Sequence, residues 1–593
     1  MKSEDRPATV IRKGIAVSPG VAVSKAYCIH ETTIALEARQ LGDEQTVAEL
    51  ARFNEARERT ATDLRVAYQK VAGQVGPHEA AIFRSHEMIL SDGAFLAQVH
   101  RQIAENHQTA EAALQLVLSE YVPLFASAEN EYLRERLADL RDIVRRLAGN
   151  LSSARDVSAD WPSDPVILVV DELLPSDMIP LDHRPLAGIV TQTGSQTSHA
   201  AILARSRGIP AVSGIRGILH EVQRGDTIIV DGHEGLVFID PDRETERAYR
   251  KRQREYVHFK NKLAAKPDQP AVSADGQNVE LLANISGLAD AQAAAQVGAA
   301  GVGLFRTEYL FLAHSSVPDE DEQVEAYRAI IAASPGPVVT IRTVDLGGDK
   351  SIPYLGHAGE ANPFMGWRSI RLSFEYPQFF NRQLRAILRA AVDQQKQIHM
   401  LFPMITTREE MLKVRRMVGQ ALRQLKKDGS PCRRVPLGLM VEVPAAAISI
   451  DTLLDVVDFV SIGSNDLVQY LTAADRDNPR VSHLCQPLSP AVLKVLAALI
   501  EACQDAQKSV TLCGEMAGAP HAFPLLFGMG LRSYSMSPAF IPSIKELLGH
   551  LTVARSTQIL QRALKMKTTS QIVRFMDRQI EEICPNLKLM ATI

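Results

Sequence analysis

Eight short, β-rich apolar runs alternate with helical stretches through the second half of the chain: NVELLANI, GVGLFRT, PVVTIRTVD, IHMLFPMI, PLGLMVEVP, DFVSIGSND, VTLCGEMAG and RSYSMSP. Strands covered on both faces read as continuous apolar runs of this kind, whereas a strand with one wet face alternates apolar with polar. Eight such strands alternating with helices predict a (β/α)8 barrel of the TIM type over residues 269–593. A doubly wound open sheet is the other architecture that this pattern allows.

In a barrel of parallel strands the chemistry sits at the strands' C-terminal ends, so the residue closing each run carries the information. Arg306 closes the second run, Arg342 the third, Glu442 the fifth, Ser464-Asn465-Asp466 the sixth and Cys513 the seventh, while Arg368 and Arg476 lie in the loops that follow. Guanidinium forks match carboxylate and phosphate oxygens, and two hard carboxylates suit Mg2+, which keeps water and phosphate ligands. Zinc is not expected, because the sequence offers neither a helical His pair nor a Cys cluster. Each residue taken singly has an ordinary reading as a surface ion pair or as packing. Their concentration at the ends of five runs predicts a small polyanionic substrate bound with a divalent metal.

The first half is organised differently. Residues 14–29 and the runs PVILVV, GIVTQTG and DTIIVDG have strand character, whereas residues 44–151 carry apolar residues at helical spacing among charges. We therefore expect an α/β domain built from residues 1–30 and 156–240, with a helical bundle, 31–155, inserted into it. Residues 241–268 interleave charges of both signs and predict a solvated linker helix. The stretch TGSQTSHAAILARSRG places Gly194, Ser195, Thr197 and Ser198 directly before an apolar helix, so that His199 lies near its first turn. Free N–H groups and the helix dipole favour an anion there, and an imidazole beside such a site can act as a phosphoryl-accepting nucleophile.

With 65 Lys and Arg against 69 Asp and Glu, the net charge of −4 provides no global field for nucleic acid or an anionic membrane. No apolar stretch is long enough to span a bilayer, and Glu4 and Asp5 stand where a signal peptide needs apolar residues, so a cytoplasmic protein without membrane insertion is expected. The six cysteines form no CxxC pair and are expected to be reduced.

Long motifs carry a resemblance: GIAVSPG, QTSHAAILARSRGIPAV, GVGLFRTEYLF, IRTVDLGGDK, NPFMGWRSIR, LMVEVPAA, FVSIGSNDLVQY, AADRDN and TLCGEMAG. On these the chain resembles the enzyme I family of the bacterial sugar phosphotransferase system, the phosphoenolpyruvate–protein phosphotransferases. The resemblance implies a multidomain α/β protein, in which a small phosphohistidine domain with an inserted carrier-binding bundle precedes a phosphoenolpyruvate-binding barrel. It implies that His199 is phosphorylated on Nε2 and passes the group to the phosphocarrier HPr, with pyruvate released, as the first step of sugar uptake. Arg306, Arg342, Arg368 and Arg476 would then grip phosphoenolpyruvate, Asn465 and the Asp466 backbone its phosphate, Glu442 and Asp466 Mg2+, and Cys513 would protonate the enolate. A homodimer through the barrel is also implied.

Two departures stand out. Leu174 occupies a place where many members carry a Thr that hydrogen-bonds the active histidine, leaving Thr197 or Ser176 to hold the tautomer. The segment IFRSHEMIL is similar to the carrier-docking segment and either presents Ile82, Phe83, His86 and Ile89 to a partner or buries them in the bundle; the following SDGAF is less acidic than a basic carrier would favour. Pyruvate phosphate dikinase and phosphoenolpyruvate synthase share the histidine and barrel motifs but add an ATP-binding domain for which no Gly-rich block is present here. A non-catalytic regulator on the same scaffold would be expected to lose His199, Cys513 or the carboxylates.

Overall fold

The strand Val21–Ile29 (β3) organises the first half of the chain, because it pairs in parallel with Val166–Val170 (β4) although more than a hundred residues separate them (Ala26↔Ile167, Ile29↔Val170). All five residues of β4 are buried, and they divide between two cores, Val166, Leu168 and Val170 on one face and Ile167 and Val169 on the other. That is why the run PVILVV shows no alternation. This computed structural model describes residues 9–29, 41–74, 77–126, 131–151, 161–173, 184–193, 204, 208–264, 269–312, 317–347, 360, 362–392, 395–476, 478, 480–585 and 587. Two compact units divide the chain near residue 258.

In the first unit β3 and β4 belong to an eight-stranded sheet with Val10–Lys13 (β1), Ile15–Ser18 (β2), Leu186–Thr191 (β5), Ala211–Ser213 (β6), Thr227–Asp231 (β7) and Leu236–Ile239 (β8), in the order β1-β8-β7-β3-β4-β5-β6-β2. Between β3 and β4 the described residues form the helices Asp43–Gln74 (α1), Pro77–Leu90 (α2), Gly93–Ala104 (α3), Ala110–Ala126 (α4) and Glu131–Leu151 (α5). Their shared core includes Phe53, Leu64, Phe83, Val99, Leu114 and Ile143. The next helix, Arg243–Ala264 (α6), starts where Asp242 Oδ1 accepts the backbone N–H groups of Glu244 and Thr245, both at 2.9 Å. Its first half is fastened to the sheet by Arg252 to Asp231 at 2.9 Å and by Tyr249 against Phe238.

In the second unit eight strands close a barrel in which every neighbouring pair is parallel: Glu280–Ile285 (β9), Val302–Arg306 (β10), Val338–Arg342 (β11), Gln397–Phe402 (β12), Leu437–Val441 (β13), Phe459–Ile462 (β14), Ser509–Leu512 (β15) and Ser533–Met536 (β16), which returns to β9. The eight runs are these strands, and closure excludes the open-sheet alternative. The barrel interior is filled, and one filler is the Phe459 ring, which lies against Gly438 of β13 and beside His399.

A methyl group at Gly438 would run into the Phe459 ring, so Gly438→Ala is expected to cost about 1–3 kcal/mol of stability by overpacking. Urea unfolding followed by tryptophan fluorescence measures the loss. An unchanged midpoint would show that the ring has room to move.

Candidate active site

Strand ends bring the polar residues to one face of the barrel. Arg306 and Arg342 are directly opposed in the β10–β11 register. Arg342 contacts Glu308 and lies 3.2 Å from Asp345. Arg368 Nη2 donates to both oxygens of Asp345, at 3.1 and 3.0 Å, and lies 3.6 Å from Asp466. Asp466 in turn lies 3.0 Å from Arg476. Read in order, Glu308, Arg342, Asp345, Arg368, Asp466 and Arg476 form a row of alternating charge, buried except at its Arg476 end. Phe364 lies under both Arg368 and Arg476, with 5.7 and 6.0 Å from guanidinium carbon to ring centroid.

Local backbone geometry holds this row. Ser369, immediately after Arg368, has a φ of 57°, and Met404, after β12, a φ of 56°, both in a region that residues other than glycine seldom occupy. The Met404 conformation aims its N–H at Glu442 Oε1, 2.6 Å away. Such strain persists where packing over-determines it, commonly at sites of function. On the far side Asn465 Oδ1 accepts the Glu515 N–H at 2.8 Å, so the loop after β15 is tied to the start of the helix Ser464–Thr472. Only glycine fits at position 514, because a Cβ there would collide with the Ser464 side chain.

The electrostatics follow from this packing. Burial opposes the charge of Arg368, but Asp345, Asp466 and Glu442 outweigh it and hold its pKa above the usual guanidinium value. Glu442, 1% exposed, has its carboxyl pushed up to about 8 by burial and then by Asp466 and Asp345, against Arg342 and Arg368. Burial also pushes the Cys513 thiol up to about 11, despite the Ser461 hydroxyl and Arg342 pulling it down. At neutral pH Cys513 is therefore held as the thiol and not as the thiolate.

Glu442 and Asp466 fit a hard divalent cation: they supply carboxylate oxygens from adjacent strand ends, and the repulsion that raises Glu442 is what a bound cation would relieve. Among the described residues no cluster of three or more His, Cys, Asp or Glu side chains forms a metal site, so such an ion would draw its other ligands from water and substrate.

The structure thus brings Arg306, Arg342, Arg368, Glu442, Asn465, Asp466, Arg476 and Cys513 to one barrel face. His199 lies outside the described residues, as do Gly194, Ser195, Thr197, Ser198, Leu174 and Ser176. Of the two readings of IFRSHEMIL, burial in the bundle holds for its described candidates. Phe83 and His86 are fully buried, His86 lying 3.2 Å from Asp139 and 3.3 Å from Asp142 on α5, and Ile89 packs half-buried against the core. The side chain of Ile82 lies outside the description. Helical spacing put those residues on one stripe, and that stripe is the inward one; Met88 faces out.

Asp345, Glu308, Tyr470, Asn284 and Ser461 escaped the sequence reading. A signal existed for two of them, since Glu308 and Asp345 follow the strand-end residues Arg306 and Arg342 within three positions. Tyr470 is read only from the fold, where Arg368 Nη1 reaches its hydroxyl at 3.4 Å.

Comparison with known proteins gives a consistent picture. Residues 13–136 match the family described as PEP-utilising enzyme, N-terminal; residues 162–235 match its mobile domain and residues 260–553 its PEP-binding domain. Over 564 residues the chain is 39% identical to the phosphoenolpyruvate-protein phosphotransferase of Bacillus subtilis (strain 168), covering 95% of this chain and 98% of that protein. It is 38% identical over 562 residues to the protein of the same name from Staphylococcus carnosus (strain TM300), covering 95% and 97%. A solution NMR structure of Enzyme I (nEIt) is 33% identical and covers 41% of this chain and 98% of its own, with a TM-score of 0.34.

Asp345 is shared by two buried guanidinium groups, so Asp345→Asn is expected to cost about 3 kcal/mol of stability, measured by urea unfolding. A loss near zero would mean that Glu308 and Asp466 suffice. With its thiol raised to about 11, Cys513 should be alkylated by iodoacetamide at a rate rising about tenfold per pH unit between pH 7 and 9 without a plateau, followed by mass spectrometry. A plateau in that range would show a thiolate already formed.

Proposed function

The chain belongs to the phosphoenolpyruvate–protein phosphotransferase family, enzyme I of the bacterial sugar phosphotransferase system, and from that membership we propose that its barrel splits phosphoenolpyruvate while His199 carries the phosphoryl group to HPr. It is a phosphoenolpyruvate-dependent phosphotransferase. The observation that carries the reading of its donor site is the alternating row at the barrel mouth, where buried guanidinium groups are held in place by carboxylates before any substrate arrives.

On this reading Arg306, Arg342, Arg368 and Arg476 receive the carboxylate and phosphate of phosphoenolpyruvate. Their preorganisation matters because phosphoryl transfer asks mostly for positioning and for neutralisation of the oxygens. Asn465 spends its carbonyl oxygen on Glu515, leaving its amide N–H groups for the phosphate. Glu442 and Asp466 would hold Mg2+, which when bound would supply further charge neutralisation for the substrate. The nucleophile is His199 Nε2, with Thr197 or Ser176 as the candidates for holding its tautomer in place of a Thr at 174. As the phosphoryl group leaves, the enolate of pyruvate remains in the barrel and Cys513 delivers a proton to its methylene carbon.

HPr docking belongs in this proposal to outward residues of α1 and α2, among them Val66 and Met88, which neighbour the Arg65–Glu87 ion pair. Assembly as a homodimer through the barrel completes the proposal. Among the described residues no helix is long and apolar enough to cross a membrane.

Incubation with labelled phosphoenolpyruvate and Mg2+ tests the central step. The expected outcome is acid-labile, base-stable label mapped to His199, absent from His199→Ala, with phosphoenolpyruvate binding to that variant retained in calorimetry. Label on another residue would overturn the assignment.

A further inference from the structure

Cys513 is held at two points. Its backbone carbonyl accepts Asn284 Nδ2 at 3.0 Å, and Asn284 is oriented by the Ser535 hydroxyl, which donates to its Oδ1 at 2.7 Å. Ser535 has room because position 303 is glycine, where any Cβ would collide with it. The Cys513 sulfur is met separately by the Ser461 hydroxyl at 3.2 Å. These supports come from either side of β15: Ser461 lies on β14, while Asn284 lies on β9, beyond β16.

Otherwise the sulfur sits among Leu304, Leu401, Met440 and Phe459, the apolar filling usual inside such a barrel. A hydroxyl placed there costs free energy unless it is hydrogen-bonded, and Ser461, 1% exposed, is aimed at the sulfur. We propose that Ser461 is the positioning residue of the protonation step, keeping the Cys513 sulfur aimed and stabilising it as a thiolate once its proton has gone, while Asn284 fixes the main chain behind it. The proposal rests on the reading of Cys513 as the acid.

The step balances without a further reagent. The S–H bond breaks, a C–H bond forms at the methylene carbon of the enolate, and the negative charge moves from the enolate to sulfur. The Ser461 O–H remains intact and donates to the thiolate, a stronger hydrogen bond than to the neutral thiol. Ile462 O, which accepts the resting thiol proton at 3.4 Å, cannot serve a thiolate. After pyruvate departs, sulfur regains a proton from water. Burial raises the thiol's pKa, and Ser461 comes first among the groups that lower it, ahead of Arg342 and Arg306.

The test uses the full chain with Mg2+ and follows exchange of the pyruvate methyl hydrogens with solvent by NMR, beside labelled phosphoryl uptake from phosphoenolpyruvate. Ser461→Ala and Ser461→Gly each remove the donor without adding an atom to the barrel interior. Each is expected to slow exchange about 10- to 100-fold, the worth of one hydrogen bond to a charged group, and to move the alkylation profile of Cys513 to higher pH. Phosphoryl uptake should change little, and Ser461→Thr should restore exchange. Exchange at the wild-type rate in either donor-free variant overturns the proposal, and so does slowed exchange with an unmoved alkylation profile, which would mark a purely structural role. Cys513→Ala separates the two ideas. If that variant exchanges normally, the acid assignment itself has failed; if it loses exchange while the Ser461 variants keep it, only the role of Ser461 has.

Discussion

A guanidinium group out of water is tolerable only beside a negative charge, and the barrel mouth contains two such groups, Arg342 and Arg368, that are almost fully buried. Asp345 lies between them, with Glu308 and Asp466 at the outer sides. Everything else about the site answers to this pairing. The carboxylates set where the arginines stand, the arginines keep the carboxylates from repelling one another, and the polyanion proposed to bind there would meet donors that need little reorganisation. Replacement by apolar residues would be kinder to stability, so stability alone does not account for the row, which fits the binding role proposed for it.

The fold supplies the scaffold for that pairing through strand ends alone. Parallel strands closed in a ring finish at one rim, so residues far apart in sequence, from Arg306 to Cys513, meet without any long loop having to find its place. The interior below the rim is continuous with the chemistry above it. Asn284, Ser461 and Ser535 are interior hydroxyl and amide groups whose hydrogen bonds end on Cys513 or on its support. In the first unit the counterpart is the β3–β4 pair, which lets the chain leave the sheet for the helices α1 to α5 and return to the adjacent position.

Much of this was legible beforehand for a simple reason. Burial on both faces writes continuous apolar runs, and a strand end at a polar rim writes a charged residue directly after the run; Arg342 after VVTI and Glu442 after LGLMV are examples. The histidine motif rests on the same kind of local reading, hydroxyl residues ahead of an apolar run, and lies outside the described residues. Where the reading faltered, the missing information was not local. Phe83 and His86 lie on an apolar stripe that any partner-binding helix would also show, and only the position of α5, with Asp139 and Asp142 facing His86, decides that the stripe points inward.

Strand count, strand ends, the arginine and carboxylate set, and family membership are properties of the sequence by itself, because they depend on the order of residue types along short segments. The pairing of Asp345 with both Arg342 and Arg368, the elevated carboxyl of Glu442 and the Ser461 contact to Cys513 were decided by tertiary structure alone. Each requires groups from different strands to come within a few ångströms in a medium that water has left. Distance and dielectric set the strength of a charge or a hydrogen bond, and neither is written in the spacing of residues along a chain.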